Sequence, residues 1–180
     1  MKKVIARSPT YDEVCALVGR FLGHYAIMER ALDAAIGELL GLKGRTIDIV
    51  GASIPAAKKI DLLFASEKYL ATVPESERAK RLQKTRSNLM KLNNERIVVA
   101  HCPFEPAGNG SVTFRRAFVT SKPELKTEDV TRSSEEIEEY CNLAIEIANE
   151  LEVLIAEMRT YVPKLDFSDP RNSMYRMLGF

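Results

Sequence analysis

Two segments of the chain place apolar residues at steps that alternate four and three, and this feature limits the fold more than any other. The first seam runs through Val14, Val18, Phe21, Tyr25, Met28, Leu32, Ala35 and Leu39. The second runs through Ile137, Cys141, Ala144, Ala148, Leu151, Ile155 and Met158. This spacing keeps the apolar residues on one face of an α-helix. Neighbouring apolar residues widen each face into the kind that packs in a bundle, so both segments are predicted to be long, half-buried helices.

Helix-start signals set the boundaries of the predicted helices. A capping box pairs a Ser or Thr with a Glu three residues later, so that each side chain satisfies a backbone N–H at the helix start. The pairs Thr10–Glu13 and Ser133–Glu136 have this form and begin the first and last helices. Two further helices are predicted between them, from Ser53 to about Ala71 and from Pro74 to Ala100 or His101. Pro103 stops the third helix, because proline cannot continue one.

The segment between the third and fourth predicted helices is typical of a β-hairpin. Residues 102–105 and 111–119 flank the turn-forming run 106–110, and the second arm places Val112, Phe114, Arg116 and Phe118 on one face. Residues 122–131 are polar and are predicted to form a loop. The predicted fold is therefore all-α, a four-helix bundle with a short, peripheral β-hairpin inserted between the third and fourth long helices.

Length and composition predict a single soluble domain. The 180 residues suffice for one buried core, and we expect one helical domain over 1–180, with its core at about 10–161, the hairpin at about 102–119 and a C-terminal tail at 164–180. No apolar run approaches the roughly 20 residues that cross a bilayer, and the basic N-terminus lacks the apolar stretch of a signal peptide. The three widely spaced cysteines are typical of reduced thiols. We expect a cytoplasmic protein without a membrane partner.

The charges favour a polyanionic ligand. The net charge is only +1, but Lys and Arg are concentrated in residues 55–116 and Glu in residues 124–157. A polyanion would meet the basic middle of the chain first. The sequence has no Gly-rich phosphate loop, no Ser/His/Asp arrangement and no paired metal ligands, so neither a cofactor nor a metal is expected.

The end of the third predicted helix carries the residues best suited to chemistry. Asn93 and Asn94 stand late in the helix, where their side chains compete for backbone hydrogen bonds. Arg96 takes a position where the inward register predicts an apolar residue, and His101 stands where the helix must stop. Arg96 and His101 are about 140° apart around an ideal helix, so they do not share a face. Their cooperation requires that the helix end redirects His101 or that a second copy of the chain supplies the partner.

This arrangement resembles the motif of the HEPN superfamily (higher eukaryotes and prokaryotes nucleotide-binding), an Arg followed after four to six residues by a His at a helix end. Asn93, Arg96 and His101 match the motif, and the predicted helix order agrees over about residues 10–161. The resemblance implies a metal-independent endoribonuclease, in many members a toxin or defence effector with a cognate antitoxin protein. The residue after the Arg is commonly polar in that family, often Asn, whereas here it is Ile97.

The chemistry of RNA cleavage fits these residues. Without a metal, the reaction needs a base for the 2′-hydroxyl, an acid for the leaving 5′-oxygen and a cation for the phosphorane. His101 can serve as acid or base because the free pKa of histidine is about 6.5. Arg96 keeps its proton but can hold a phosphate with two hydrogen bonds, and Asn93 would orient the site. One His cannot be both base and acid, so a homodimer that joins two such sites is predicted.

Four further residues are candidates for binding RNA or its phosphates, namely Asn94, Lys91, Arg115 and Arg116. Asn94 could bond a nucleotide or belong to a polar network at the helix end. Lys91 belongs to basic rows on the third helix that could steer phosphates or simply face solvent. Arg115 and Arg116, beside aromatic residues, resemble a stacking platform for bases, although a hairpin that caps the bundle has the same pattern.

The two central residues also have purely structural interpretations. Arg96 could pair with Glu29 on the flank of the first helix, and His101 could stabilise a helix C-terminus by roughly 0.3–1 kcal/mol. Two other functions therefore stay open. One is a non-catalytic HEPN-like module that binds a nucleotide, RNA or a partner, which Ile97 favours. The other is a plain helical interaction domain.

Overall fold

The computed structural model describes residues 9–70, 76–119 and 124–161. These ranges contain the helices α1 (Tyr11–Leu39), α2 (Arg45–Ser53), α3 (Ala56–Leu70), α4 (Ser76–His101) and α5 (Ser134–Tyr161). They also contain the strands β1 (Phe104–Ala107), β2 (Ser111–Val119) and β3 (Leu125–Ser133), with a 3-10 turn at Gly108–Gly110. Pro74 and the predicted tail at 164–180 lie outside the described residues. No helix in the described ranges has both the length and the apolar character needed to cross a membrane.

The predicted starts of the first and last helices are confirmed. The backbone N–H of Glu13 donates to Thr10 Oγ1 at 3.3 Å, and that of Thr10 donates to Glu13 Oε2 at 2.7 Å. The Ser133–Glu136 pair repeats the arrangement with N···O distances of 2.8 and 3.1 Å. Each box satisfies backbone donors that have no partner within the helix.

The two seams form the centre of the core. Every residue of the first seam is buried, and so is every residue of the second except Ile155, which is partly buried against the core. Helix α1 packs along α5 and also contacts α2, α3, α4 and β1. The core also contains Ile60 and Leu63 from α3 and Leu89 and Leu92 from α4. Burial on this scale, at about 25 cal/mol per Å² of apolar surface, is what makes the long helices stable.

The prediction of an all-α four-helix bundle with a hairpin between its third and fourth helices is wrong. The chain has five helices in its described ranges, and a three-stranded antiparallel sheet of order β1-β2-β3 lies between α4 and α5. Helix α2 has nine residues, of which only Gly51 is buried, so it leaves almost no seam in the sequence. Ser53, predicted to start a helix, is the last residue of α2.

The third strand and the role of the sheet also differ from prediction. Residues 125–131 were predicted to be loop but belong to β3, whose residues are mostly exposed and so show no apolar alternation. The strand is held by its pairing with β2, in which Phe114 lies opposite Val130. The hairpin is not peripheral, because Val112 and Phe114 are fully buried in the core. The sheet thus anchors the end of α4, where the candidate residues lie.

Candidate functional site

The last two turns of α4 bring Arg96 and His101 into contact. Arg96 Nη1 lies 3.3 Å from His101 Nε2. Because a guanidinium can only donate, a hydrogen bond here requires that His101 Nε2 accepts, which corresponds to the tautomer with its proton on Nδ1. The sequence placed the two residues on different faces of the helix. The long side chain of Arg96 closes that gap within one chain, because α4 ends at His101 and the imidazole there is exposed.

Tyr25 of α1 contacts Arg96 and Asn93. Its ring centroid lies 5.8 Å from the Arg96 guanidinium carbon, a cation–π contact. Its hydroxyl donates to Asn93 Oδ1 at 3.1 Å, with both side chains buried. Burial and then the nearby Glu29 carboxylate raise the pKa of Tyr25 to about 12, against a smaller lowering effect of Arg96. Tyr25 therefore stays a proton donor, which fixes the Asn93 amide with its N–H groups left for a ligand.

A buried lysine lies beside these residues. Lys59 of α3 is 3% exposed, and its Nζ lies 2.6 Å from Asp33 Oδ1 and 3.3 Å from Glu29 Oε1, both on α1. A buried ammonium requires such partners, because the cost of removing it from water is several kcal/mol. Glu29 is thus paired with Lys59. Among the described residues Arg96 forms no ion pair with Glu29, so the predicted structural pairing of those two is wrong.

Five of these side chains line one cleft of about 710 Å³ between α1, α4 and the α2–α3 junction. Asn93 and Arg96 contribute from α4, Glu29 and Asp33 from α1, and Lys59 from α3. The volume lies within the range of about 300–1,000 Å³ that small-molecule sites occupy. Arg96 is cationic on the α4 wall, whereas the α1, α2 and α3 walls together have three carboxylates and two cations, so the cleft can orient a ligand that has two unlike ends.

The other four candidate residues do not join this cleft. Asn94 and Arg116 line a second groove of about 610 Å³ between α4 and the sheet. Arg116 also lies over the Phe118 ring, with the guanidinium carbon 5.5 Å from the ring centroid. Ile97, 41% exposed, lines both the cleft and the groove and forms the ridge between them.

Lys91 and Arg115 have protein partners of their own. Lys91 Nζ lies 5.1 Å from the centroid of the Tyr140 ring. Arg115 Nε donates to Asp129 Oδ1 at 3.3 Å across the β2–β3 pair. Both side chains are exposed, so these contacts contribute at most about 1 kcal/mol and leave either residue able to meet a phosphate. The structure nevertheless places them apart from Arg96.

Sequence reasoning did not identify Tyr25, Lys59 or Asp33 as site residues, and it considered Glu29 only as a partner of Arg96. Tyr25 occupies a position of the α1 seam and is indistinguishable there from a core aromatic residue. Lys59, Glu29 and Asp33 are charged residues on the flanks of amphipathic helices, where solvent exposure is the usual outcome. The one usable signal is the spacing of Tyr25, Glu29 and Asp33, which at steps of four lie on one face of α1.

Comparisons with known proteins show no family for this chain. No family model matches the chain, and no curated protein and no solved structure matches it. Within the described ranges, no group of three or more His, Cys, Asp or Glu side chains is placed to hold a metal ion.

Proposed function

We propose that the protein is a metal-independent endoribonuclease of the HEPN type, in which Arg96 holds the scissile phosphate and His101 transfers a proton. The observation that carries this proposal is the 3.3 Å contact between Arg96 Nη1 and His101 Nε2 at the edge of a large cleft. A permanent cation and an imidazole in contact supply two of the three groups that cleavage through the 2′-hydroxyl requires, namely the cation for the phosphorane and one proton-transfer group.

The contact suggests how substrate would start the reaction. When a phosphate takes the Arg96 N–H donors, His101 Nε2 loses its hydrogen bond and can accept the proton of the 2′-hydroxyl. The 2′-oxygen then bonds to phosphorus, the bond from phosphorus to the 5′-oxygen breaks, and the leaving oxygen takes a proton from an acid. The products are a 2′,3′-cyclic phosphate and a free 5′-hydroxyl. Asn93, fixed by Tyr25, would orient the bound nucleotide.

The acid in this scheme is the His101 of a second copy. A two-fold homodimer places equivalent residues about one axis, so two His101 side chains can serve one phosphate as base and acid. Sedimentation at micromolar concentration should show the dimer, and a monomer under all conditions contradicts this arrangement. The biological role we propose is that of a cytoplasmic toxin or defence effector with a cognate antitoxin protein, as the motif resemblance implies.

The test is cleavage of single-stranded RNA in excess EDTA. His101→Ala should lose roughly 10²–10⁴-fold through loss of proton transfer, and Arg96→Ala should lose at least as much. Arg96→Lys should restore little, because an ammonium lacks the bidentate fork. His24→Ala is the matched control, since it removes the other histidine of the chain, and it should cut like the parent. If the His101 and Arg96 variants cut RNA as well as the parent does, the proposal is wrong.

One observation favours a second function, a non-catalytic module that binds a nucleotide, RNA or a partner. Ile97 is 41% exposed beside Arg96, where the resembling family commonly has a polar residue. This function predicts a parent protein that binds short RNA in a salt-sensitive manner but does not cleave it. Binding that is unaffected by Arg96→Ala would remove support from both functions.

A further inference from the structure

The walls of the cleft differ in charge. On the α4 wall Arg96 presents N–H donors beside His101, which suits a phosphate. On the α1 and α3 walls Glu29 and Asp33 flank the buried Lys59. With Arg30 and Asp48, which line the same cleft, these walls and the α2 wall have three carboxylates against two cations, and this excess favours a ligand group rich in N–H donors. A nucleotide has this same polarity, with an anionic phosphate at one end and a donor-bearing base at the other.

The two carboxylates differ in how firmly they are held. Asp33 forms the shorter ion pair with Lys59, at 2.6 Å. Asp33 Oδ2 would lie only 2.7 Å from a Cβ added to Gly51, so the Asp33 side chain is packed against α2. Glu29 makes the longer ion pair, at 3.3 Å and through Oε1. Its side chain is 32% exposed, which leaves Oε2 free to accept from a ligand. Glu29 is therefore the carboxylate placed to recognise a ligand.

Asn93 contributes donors to the same cleft. Glu29 lies one helical turn beyond Tyr25 on α1, and the Tyr25 hydroxyl donates to Asn93 Oδ1. The Asn93 side chain is only 7% exposed and lines the cleft, so its N–H groups can donate to a ligand bound there. A carboxylate that accepts and an amide that donates therefore line one cleft.

We propose that the cleft is a base-recognition subsite for guanine, in which Glu29 accepts from N1–H and N2–H and the Asn93 amide donates to O6. The subsite would hold the base of a nucleotide whose phosphate lies at Arg96, and in this placement it rests on the proposed function. Guanine has two adjacent N–H donors beside a carbonyl acceptor on its Watson–Crick edge, the edge by which proteins read unpaired bases. Adenine, cytosine and uracil lack the two adjacent donors.

The test measures binding of the four ribonucleoside 5′-monophosphates and of inosine 5′-monophosphate by calorimetry. Guanosine monophosphate should bind the parent at least about tenfold more tightly than inosine monophosphate, because inosine lacks the 2-amino donor and a charged hydrogen bond is lost. This comparison needs no variant, so a folding defect cannot affect it. Glu29→Gln should lose at least about tenfold for guanosine monophosphate. Glu38→Gln is the matched control on the same helix, because Glu38 pairs with Arg159 at 3.0 Å outside the cleft.

The outcomes separate this subsite from the catalytic proposal. Equal binding of guanosine and inosine monophosphates to the parent overturns the guanine subsite, even if RNA cleavage depends on Arg96 and His101. Equal losses in the Glu29→Gln and Glu38→Gln proteins overturn it as well. If the parent cuts no RNA yet binds guanosine monophosphate with a preference that Glu29→Gln removes, the subsite stands and the ribonuclease function fails.

Discussion

The hydrogen bond between Tyr25 and Asn93 can be removed by the loss of a single hydroxyl group. Tyr25→Phe keeps the ring beneath Arg96 and removes only the hydroxyl that donates to Asn93 Oδ1 at 3.1 Å. Both residues are buried, at 3% and 7% exposure, so water does not readily replace the lost donor. An unsatisfied buried acceptor costs about 1–3 kcal/mol, which is the expected loss of unfolding free energy.

Denaturant unfolding measures this loss, provided that the slope against denaturant concentration is unchanged. Tyr11→Phe is the matched control, because that tyrosine is 59% exposed and the change there should stay within about 0.5 kcal/mol. The double variant Tyr25→Phe, Asn93→Leu should recover part of the loss, since it removes both polar partners together. Thermal midpoints should shift by about 2–4 °C for each kcal/mol lost.

A Tyr25→Phe protein as stable as the Tyr11→Phe protein would refute the reasoning. It would mean that the hydroxyl and Asn93 Oδ1 do not share a buried hydrogen bond, and Asn93 would then have no fixed orientation. Additive losses in the double variant would show that the two side chains act independently.

Three further predictions follow from burial and charge. Because the pKa of Tyr25 is raised to about 12, the stability that its neutral form contributes is complete below pH 10 and is lost as pH rises from 10 to 12. Over this range the free energy of unfolding of the parent, measured in urea, should fall by about 1.4 kcal/mol per pH unit more than that of Tyr25→Phe. Phe114→Ala should cost about 3–5 kcal/mol in the same assay, against under about 1 for the exposed Phe118→Ala. Gly51→Ala should lower the melting temperature measured by circular dichroism, because its Cβ would stand 2.7 Å from the Asp33 carboxylate, an overpacking cost of about 1–3 kcal/mol.

The parts of the fold that the sequence predicted are those with strong local signals. The seams and capping boxes of α1 and α5 are confirmed because each residue's role there depends only on neighbours within a turn or two. Helix α2 and strand β3 were missed because neither buries a continuous apolar face. Strand β3 exists through its backbone pairing with β2, and such a long-range partner leaves no local pattern in a polar sequence.

The sequence predicted only part of the candidate site, because only some of its residues have a strong local signal. Asn93, Arg96 and His101 stand out locally because they break the expected pattern of a helix end. Tyr25 and Lys59 fit their local patterns and gain their roles only when α1 and α3 pack beside α4. A polar residue that violates its helix pattern is visible in one sequence, whereas one that acquires a buried partner from another helix is not.

The contact between Arg96 and His101 changes what a second copy of the chain must supply. The five-residue spacing required either that the helix end redirects His101 or that a partner copy brings an Arg to the His. The 3.3 Å contact within one chain means that this contact needs no partner copy. In the proposed mechanism a single site still needs a second proton-transfer group at the phosphate, because arginine keeps its proton and one histidine cannot be base and acid in one step. A dimer that serves catalysis must therefore bring together the two His101 residues, and an interface that leaves them apart would have no catalytic purpose.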